Sequence, residues 1–382
     1  MSVMKMKKKI LFIQTQAENA GAQEISRLVG EGLATKQHAV HHLFFYRKTD
    51  AYDHAPNTTI LCDQRPSTPL AFAKFLIDLV KFIRDLKPDV VLTFQHYGNL
   101  FGGPAARLAG VPHVIANQVS AQATMNSVIR KLDMAMGSIG VFDSITVNSK
   151  DTAGEYGDFP KVYTKRIVHV PHGFKTKTSD LSKGCAREKY GLPSNATILG
   201  SVARLNVLKR LDIAIEVLSA NPSWHLALGG QGPEEDNLRK QAKDLGVEDR
   251  VHFIGEMRSE QVGDFLKTLD LFIFPSQAET FGLAAVEAAQ VGLPIVANDI
   301  PVLREVLQTD GVPCALFANS DDVASYVTAI EKLLSDPELV KQLATSAERL
   351  SRLYSLDTMV DHYEDLVLEQ EQPLFMPMGQ QA

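Results

Sequence analysis

Cysteine, tryptophan and long apolar runs are what this chain of 382 residues has least of. Its three cysteines, Cys62, Cys185 and Cys314, are odd in number and far apart. That spacing argues against a disulfide framework or a cysteine-based zinc site and for a reducing compartment. No stretch approaches the ~20 apolar residues of a membrane span. After the basic residues 5–9 only residues 10–13 are apolar before Gln14. Such a run is too short for the core of a secretory signal, so a cytoplasmic protein is expected. Residues 14–21 lack the Gly-x-Gly-x-x-Gly turn of dinucleotide binding, which argues against a dehydrogenase.

Hydrophobic residues at 45% and charged residues at 22% are those of an ordinary soluble globular protein, and the length suits two domains. The net charge of −6 is unevenly spread. Up to Lys177 there are 22 Lys and Arg against 14 Asp and Glu, and beyond it 17 against 31. The basic half suits an anionic partner or an acidic membrane surface, and it suits scattered solvated charge equally well. No nucleic-acid partner is expected.

Short apolar runs at 9–14, 40–45, 59–62, 88–94, 112–116, 144–148 and 167–170 alternate with helical patterns at 24–34, 69–86 and 100–109. This predicts an α/β fold with an open parallel sheet covered by helices on both faces. The periodicity lapses over 171–180, a linker pattern, and then restarts. Further strands are predicted at 197–202, 224–228, 250–254, 271–274 and 294–297, which makes a second doubly wound domain. A helix is predicted at 210–218, and residues 320–371 read as helical. The helix 72–84 is amphipathic, and two readings of it stay open. It packs against the sheet, or it lies on a membrane with its lysines outward.

In such sheets ligands bind beyond the carboxyl ends of the strands. After the strand 271–274 come Glu279 and then a helix pattern over 283–291, stopped by Gly292 and Pro294. The helix start offers free backbone N–H groups at Phe281 to Leu283, a ready anion site. Glu287 lies roughly 7 Å further along the axis at ~1.5 Å per residue. It sits among Leu283, Ala284, Ala285, Val286, Ala288 and Ala289, so it is predicted to be buried and in need of a partner. A carboxylate accepts two hydroxyl hydrogen bonds at once, as a vicinal diol offers. Diol, diphosphate, diol is the layout of a nucleotide-sugar. The bland alternative makes Glu279 a helix-entry acid and Glu287 a solvated face residue. At the end of the strand 197–202, Arg204 and Lys209 suit a diphosphate, as a planar fork and a point charge. Gly230 and Gly232 permit close backbone approach after the next strand. Phe253 and Ile254 offer a strand-end backbone where a base can be read.

Taken in order, Arg204 with Lys209, Gly230-Gln-Gly-Pro, Val251-x-Phe-x-Gly255, Phe274-Pro-Ser, Glu279 seven residues before Glu287, and Gly292-Leu-Pro resemble the retaining GT-B glycosyltransferases of family 4, the glycosyl transferases group 1. The match is specific over residues 198–301 and looser before them. The resemblance implies two Rossmann-like domains, residues 1–177 for the acceptor and 178–355 for the donor. It also implies a C-terminal segment, 356–382, whose helix (359–371) returns to the first domain. Implied roles follow by position. Arg204 and Lys209 neutralise the donor's diphosphate, and Glu279 with the backbone of Thr280, Phe281, Gly282 and Leu283 holds its sugar and phosphate. Glu287 takes the ribose hydroxyls, and Gly21 and Ala22 face the diphosphate across the cleft. Such enzymes need neither metal nor cofactor as a rule, and no Asp-x-Asp motif occurs here.

The implied activity moves a hexose-type sugar from a nucleotide-diphosphate sugar to a saccharide or lipid-linked saccharide, as in surface polysaccharide synthesis. The implied place is the cytoplasm, with peripheral contact at an anionic inner membrane face. The alternatives are a nucleotide-sugar epimerase of the same fold and a non-catalytic nucleotide-sugar-binding partner subunit. The sequence departs from the family where a histidine commonly follows the strand 112–116. Gln118 stands near that place, and His96, at another strand end, is the substitute candidate. Lys175 and His172-Gly173 also replace the usual residues after the linker strand.

Overall fold

The computed structural model describes residues 7–120 and 125–368. Two parallel sheets organise it. The first has seven strands in the order β3-β2-β1-β4-β5-β6-β7. In chain order they are β1 (Lys9–Ala17), β2 (Ala39–Arg47), β3 (Thr58–Cys62), β4 (Val90–Phe94), β5 (His113–Gln118), β6 (Ser144–Val147) and β7 (Ile167–His169). The second is ordered β10-β9-β8-β11-β12-β15. Its strands are β8 (Thr197–Val202), β9 (Trp224–Gly229), β10 (Val251–Gly255), β11 (Leu271–Phe274), β12 (Ile295–Asn298) and β15 (Leu316–Ala318), while β13 (Gln308–Thr309) and β14 (Val312–Pro313) form a separate hairpin. The second sheet thus gains a strand, β15, that the sequence pattern does not separate from its surroundings, since three residues carry no readable period. Both sheets are the doubly wound kind that the alternation predicts.

The central strands β4 and β11 are buried along their whole length, as strands covered on both faces must be. Helix α1 (Gly21–Thr35) follows β1. Helix α2 (Pro69–Leu86) starts where Thr68 Oγ1 accepts from Ala71 N (3.2 Å) with Pro69 in the first turn, and it stops at Lys87, which is left-handed before Pro88. The helix buries Phe75, Leu79 and Ile83 in the first sheet's core. Each such burial is worth about 1.5–3 kcal/mol. The packing reading of α2 therefore replaces the membrane one, because a bilayer would have to compete for side chains already in the core. The pattern at 100–109 divides into a wide turn, Gly98–Gly102, and a short helix, Gly103–Leu108. The helix α3 (Ser127–Ser138), unread in the sequence, precedes β6.

The chain crosses between the two bodies twice, side by side. Phe174 pairs with Ser355 in a parallel bridge, and Phe174 N donates to Tyr354 O (3.2 Å). Past the second crossing the last described helix (Leu356–Leu368) lies on α1. A Cβ on Gly32 would stand 2.3 Å from a Val360 methyl, Lys36 Nζ donates to Glu364 Oε2 (2.8 Å), and Tyr363 Oη donates to Asn117 Oδ1 (2.7 Å). Residues 369–371 of the predicted returning helix, and the tail after them, lie outside the described residues.

Candidate functional site

Each sheet reverses its strand order once, between β1 and β4 in the first and between β8 and β11 in the second. The crevice of an open parallel sheet lies at the carboxyl side of that reversal. The two crevices open onto one cleft of about 1690 Å³. A single small-molecule pocket has roughly 300–1,000 Å³, so this cleft has room for two substrates.

From the second body, β8 runs into a loop carrying Arg204 and a short 3₁₀ turn, Val207–Lys209. Gln277 N donates to Leu208 O (2.8 Å), which ties this loop to the one that follows β11. The tie brings Lys209 Nζ to Glu279 Oε1 at 2.5 Å and over the Phe274 ring at 5.7 Å. The Phe274 loop ends at Gly282, whose φ of 85° only glycine adopts without strain, and the helix Leu283–Gln290 begins there. The orphan amides of that helix start open on the cleft, whose wall includes Thr280, Phe281, Gly282 and Leu283. Beyond β9, Gly230 has φ 125°, and a Cβ there would lie 2.0 Å from Ala203 O. A Cβ on Gly232 would lie 2.2 Å from Leu205 O. Glycine at both places lets the two loops touch and keeps the wall bare.

From the first body, β1 ends at Ala17, and Glu18, Gly21, Ala22 and Glu24 line the opposite wall. A Cβ on Gly21 would stand 3.0 Å from Leu283 Cδ1, so the two helix starts face each other at contact distance. Arg204 Nη1 donates to Glu18 Oε1 (3.2 Å) across the cleft. Asn148 Nδ2 donates to Thr280 Oγ1 (3.0 Å) and reaches His172 Nε2 (2.8 Å), and Thr152 Oγ1 donates to Thr280 O (3.3 Å). Lys150 N and Asp151 N donate to the Glu305 carboxylate at 2.7 and 2.9 Å. The bodies are thus pinned in contact around the Thr280 loop.

Glu287 is largely but not wholly buried, its side chain 13% exposed, and it has a partner that the sequence reading does not find. Lys177 Nζ, from the crossing segment, lies 3.7 Å from Glu287 Oε1 and 3.4 Å from Glu24 Oε1. Burial pushes the Glu287 carboxyl up to about 7, with Lys177 opposing and Glu24 reinforcing the rise. Burial also acts upward on Glu24, but Arg27, Ser259 and Lys177 together hold it below the ordinary range. Burial pushes His172 down to about 3, so its ring is neutral, and His169 adds to the effect. Only the expectation that a buried carboxylate needs a partner could have pointed to Lys177. Nothing local marks Glu18 or His172 as cleft residues, or Asn148 as the residue that holds Thr280.

The structure gathers Gly21, Ala22, Arg204, Lys209, Gly230, Gly232, Glu279, Thr280, Phe281, Gly282, Leu283 and Glu287 on the cleft wall. It does not bring His96, Gln118, Phe253 or Ile254 there. Gln118 is fully buried behind the wall: Nε2 donates to Asp133 Oδ1 (2.9 Å) and contacts Tyr163 Oη (3.2 Å), and Oε1 accepts from Asn99 Nδ2 (3.3 Å). With every polar atom engaged it serves the packing of α3, and Val119 takes the adjacent wall position. His96 lies half-buried in the turn after β4, away from the wall. Phe253 lies under the Arg239 guanidinium (4.1 Å), and Ile254 packs on the core. Glu256, Met257 and Arg258, just past β10, line the wall in their stead.

Comparison with known proteins agrees with this geometry. Residues 183–350 match the family described as glycosyl transferases group 1. A glycosyltransferase of Haemophilus influenzae, itself uncharacterized, is 24% identical over 95% of this chain and 100% of its own length. The lipopolysaccharide core biosynthesis mannosyltransferase LpsB of Rhizobium meliloti is 27% identical over 56% of this chain, which spans 62% of that protein. Among solved structures, Anabaena HepE in complex with UDP and glucose superposes with a TM-score of 0.81 at 18% identity, covering 94% of this chain and 98% of HepE. Two Rossmann-like sheets with facing switch points give the chain the GT-B fold, and residues 183–350, most of its second body, carry the match to the glycosyl transferases group 1.

Proposed function

We propose that this protein moves a hexose-type sugar from a nucleoside-diphosphate sugar to a hydroxyl of a saccharide or lipid-linked saccharide, with retention of configuration. The observation that carries the reading is the convergence of Arg204, Lys209, Glu279 and the Leu283 helix start on one side of Gly21, with Glu287 about one turn further on. The leaving diphosphate lies against Arg204, Lys209 and the helix amides, so its charge is met without a metal ion. Glu279, held by Lys209, accepts from the sugar hydroxyls, and Glu287 accepts from the ribose diol. The bond from the anomeric carbon to the phosphate oxygen breaks toward the diphosphate. The acceptor oxygen bonds the same face of that carbon, and its proton passes to the diphosphate. Catalysis of this kind rests on positioning and fixed charge, which agrees with Gln118 and His96 standing away from the cleft.

The acceptor approaches from the first body. Support for a glycoconjugate acceptor is the likeness to LpsB. Among the described residues no helix is long and apolar enough to cross a membrane. Contact with an anionic inner membrane face falls to the outer side of α3, not to α2. Val128 (63% exposed), Leu132 (45%) and Ile139 (79%) lie on one stripe with Lys131. Flotation with anionic vesicles tests this: Leu132→Asp with Ile139→Asp abolishes binding, and unchanged flotation refutes it.

The donor reading is tested by thermal-shift measurement with UDP-, GDP- and ADP-sugars on wild type and Glu279→Ala. One nucleotide-sugar should stabilise wild type beyond its nucleotide alone, and the variant should lose that increment. No shift at millimolar ligand overturns the reading. Conversion of the donor sugar with no acceptor present would show an epimerase.

A further inference from the structure

We propose that Lys177 is a positioning residue for the donor, fixing the charge and aim of Glu287 toward the ribose diol. This rests on the donor reading above. Three elements meet at Lys177: α1 of the first body supplies Glu24, the turn Ser259–Gln261 of the second supplies Ser259, and the Leu283–Gln290 helix supplies Glu287. Lys177 Nζ donates to Ser259 Oγ, and Ser259 Oγ donates to Glu24 Oε1 (2.6 Å). The charged groups facing Glu287 are Lys177 and Glu24, with Arg27 behind Glu24 at 2.9 Å.

The distances divide the work of the lysine. Nζ hydrogen-bonds Ser259 and Glu24, but its 3.7 Å to Glu287 is an ion pair outside hydrogen-bond range. Glu287 thus receives a compensating charge while its lone pairs stay open to the cleft. A diol needs this, because it must donate to an ionised carboxylate. The side chains of Lys177 and Glu287 are 15% and 13% exposed, so screening by water is slight and the pairing is strong for its length. With the lysine in place the Glu287 carboxyl is pushed up only to about 7; without it the same carboxyl beside Glu24 holds its proton to still higher pH and loses acceptor capacity at neutral pH. Because Lys177 sits on the crossing and Glu24 on the first body, the ribose subsite is complete only with the two bodies together.

The test is calorimetric titration of UDP, GDP and ADP into wild type, Lys177→Met, Lys177→Arg and Glu287→Gln from pH 6.5 to 9. For the tightest nucleotide, Lys177→Met should weaken binding about tenfold or more at pH 7, the scale of a lost hydrogen bond to a charged group. Most of that loss should recover by pH 9. Lys177→Arg should restore near-native binding, and Glu287→Gln should bind weakly at every pH. Melting curves without ligand give a second readout: Lys177→Met should lose more stability than wild type as pH rises from 6 to 8, and the double variant with Glu287→Gln should not. If wild type binds a nucleotide and Lys177→Met binds it equally with the same pH profile, the inference falls alone. If wild type binds none of the three, the donor reading falls with it.

Discussion

The two switch points share a topology and differ in charge, in the sense opposite to their bodies. Residues up to Lys177 carry an excess of eight positive charges, yet their switch point presents Glu18 and Glu24 to the cleft. The residues after it carry an excess of fourteen negative charges, yet the loop that follows β8 presents Arg204 and Lys209, with the acids Glu279 and Glu287 coming from the neighbouring β11 loop and helix. Net charge reports on the solvated surface, whereas a cleft is set by the few side chains that its strand ends aim inward. The contrast also explains how the cleft accommodates so many charges. The acids of one body pair with the cations of the other, Glu18 with Arg204 and Glu24 with Lys177, and Lys209 is paired within its own body to Glu279.

Changes at the cationic switch point should break this contrast most severely. Arg204→Ala and Lys209→Ala should each lower kcat/KM for sugar transfer by about 10²–10³, the cost of removing one charge-stabilising donor. Steady-state assay with the identified donor checks this. Second in size is the pH dependence of folding. The Glu287 carboxyl moves from an ordinary 4.5 to about 7, so between those values the folded state binds more protons than the unfolded one. Its contribution is present in full below about 4.5 and is lost as pH rises through about 7. Glu287→Gln should remove a decline of at most about 3 kcal/mol across that window, read by urea melts at pH 5 and 8. Next, Gly230→Ala forces a side chain against Ala203 O at a positive φ. It should cost about 1–3 kcal/mol and lower the melting temperature without touching a charge. The mildest change sharpens the contrast. Glu18→Gln frees the half-exposed Arg204 and should tighten nucleoside-diphosphate binding only about two- to fivefold, since exposed pairs are worth about 0.2–1 kcal/mol.

Much of this was legible in the chain. The β-then-α period gave both sheets, and α2 falls at 69–86 as its cap and period require. Glu279, Glu287, Arg204 and Lys209 declare themselves because strand ends and helix starts are local features with local signals. The partners of those residues are not local: Glu18 and Arg204 are 186 residues apart, and Asn148 and Thr280 are 132 apart. No periodicity carries such pairings. Gln118 shows a subtler limit. The strand-end rule places the backbone correctly, but side chains alternate between faces, and the last residue of β5 turns inward to Asp133. The next residue, Val119, meets the cleft. Phe253 and Ile254 miss it for a related reason, because the wall forms from the chain just past the strand.

The paired crossings at Phe174 and Ser355 have a consequence for how such a molecule can be remade. The helix Leu356–Leu368 is part of the first body, so everything from Lys175 to Tyr354 is, in topological terms, an insertion into it whose two ends emerge as neighbours. A cassette with adjacent ends can be lifted out and replaced through two junctions that touch, leaving the host sheet and its sealing helix whole. Grafting the second body of a glycosyltransferase of similar fold between these junctions would exchange the module that carries Arg204, Lys209, Glu279 and Glu287 while keeping the opposite wall, and the two walls of the cleft could then be recombined as separate parts.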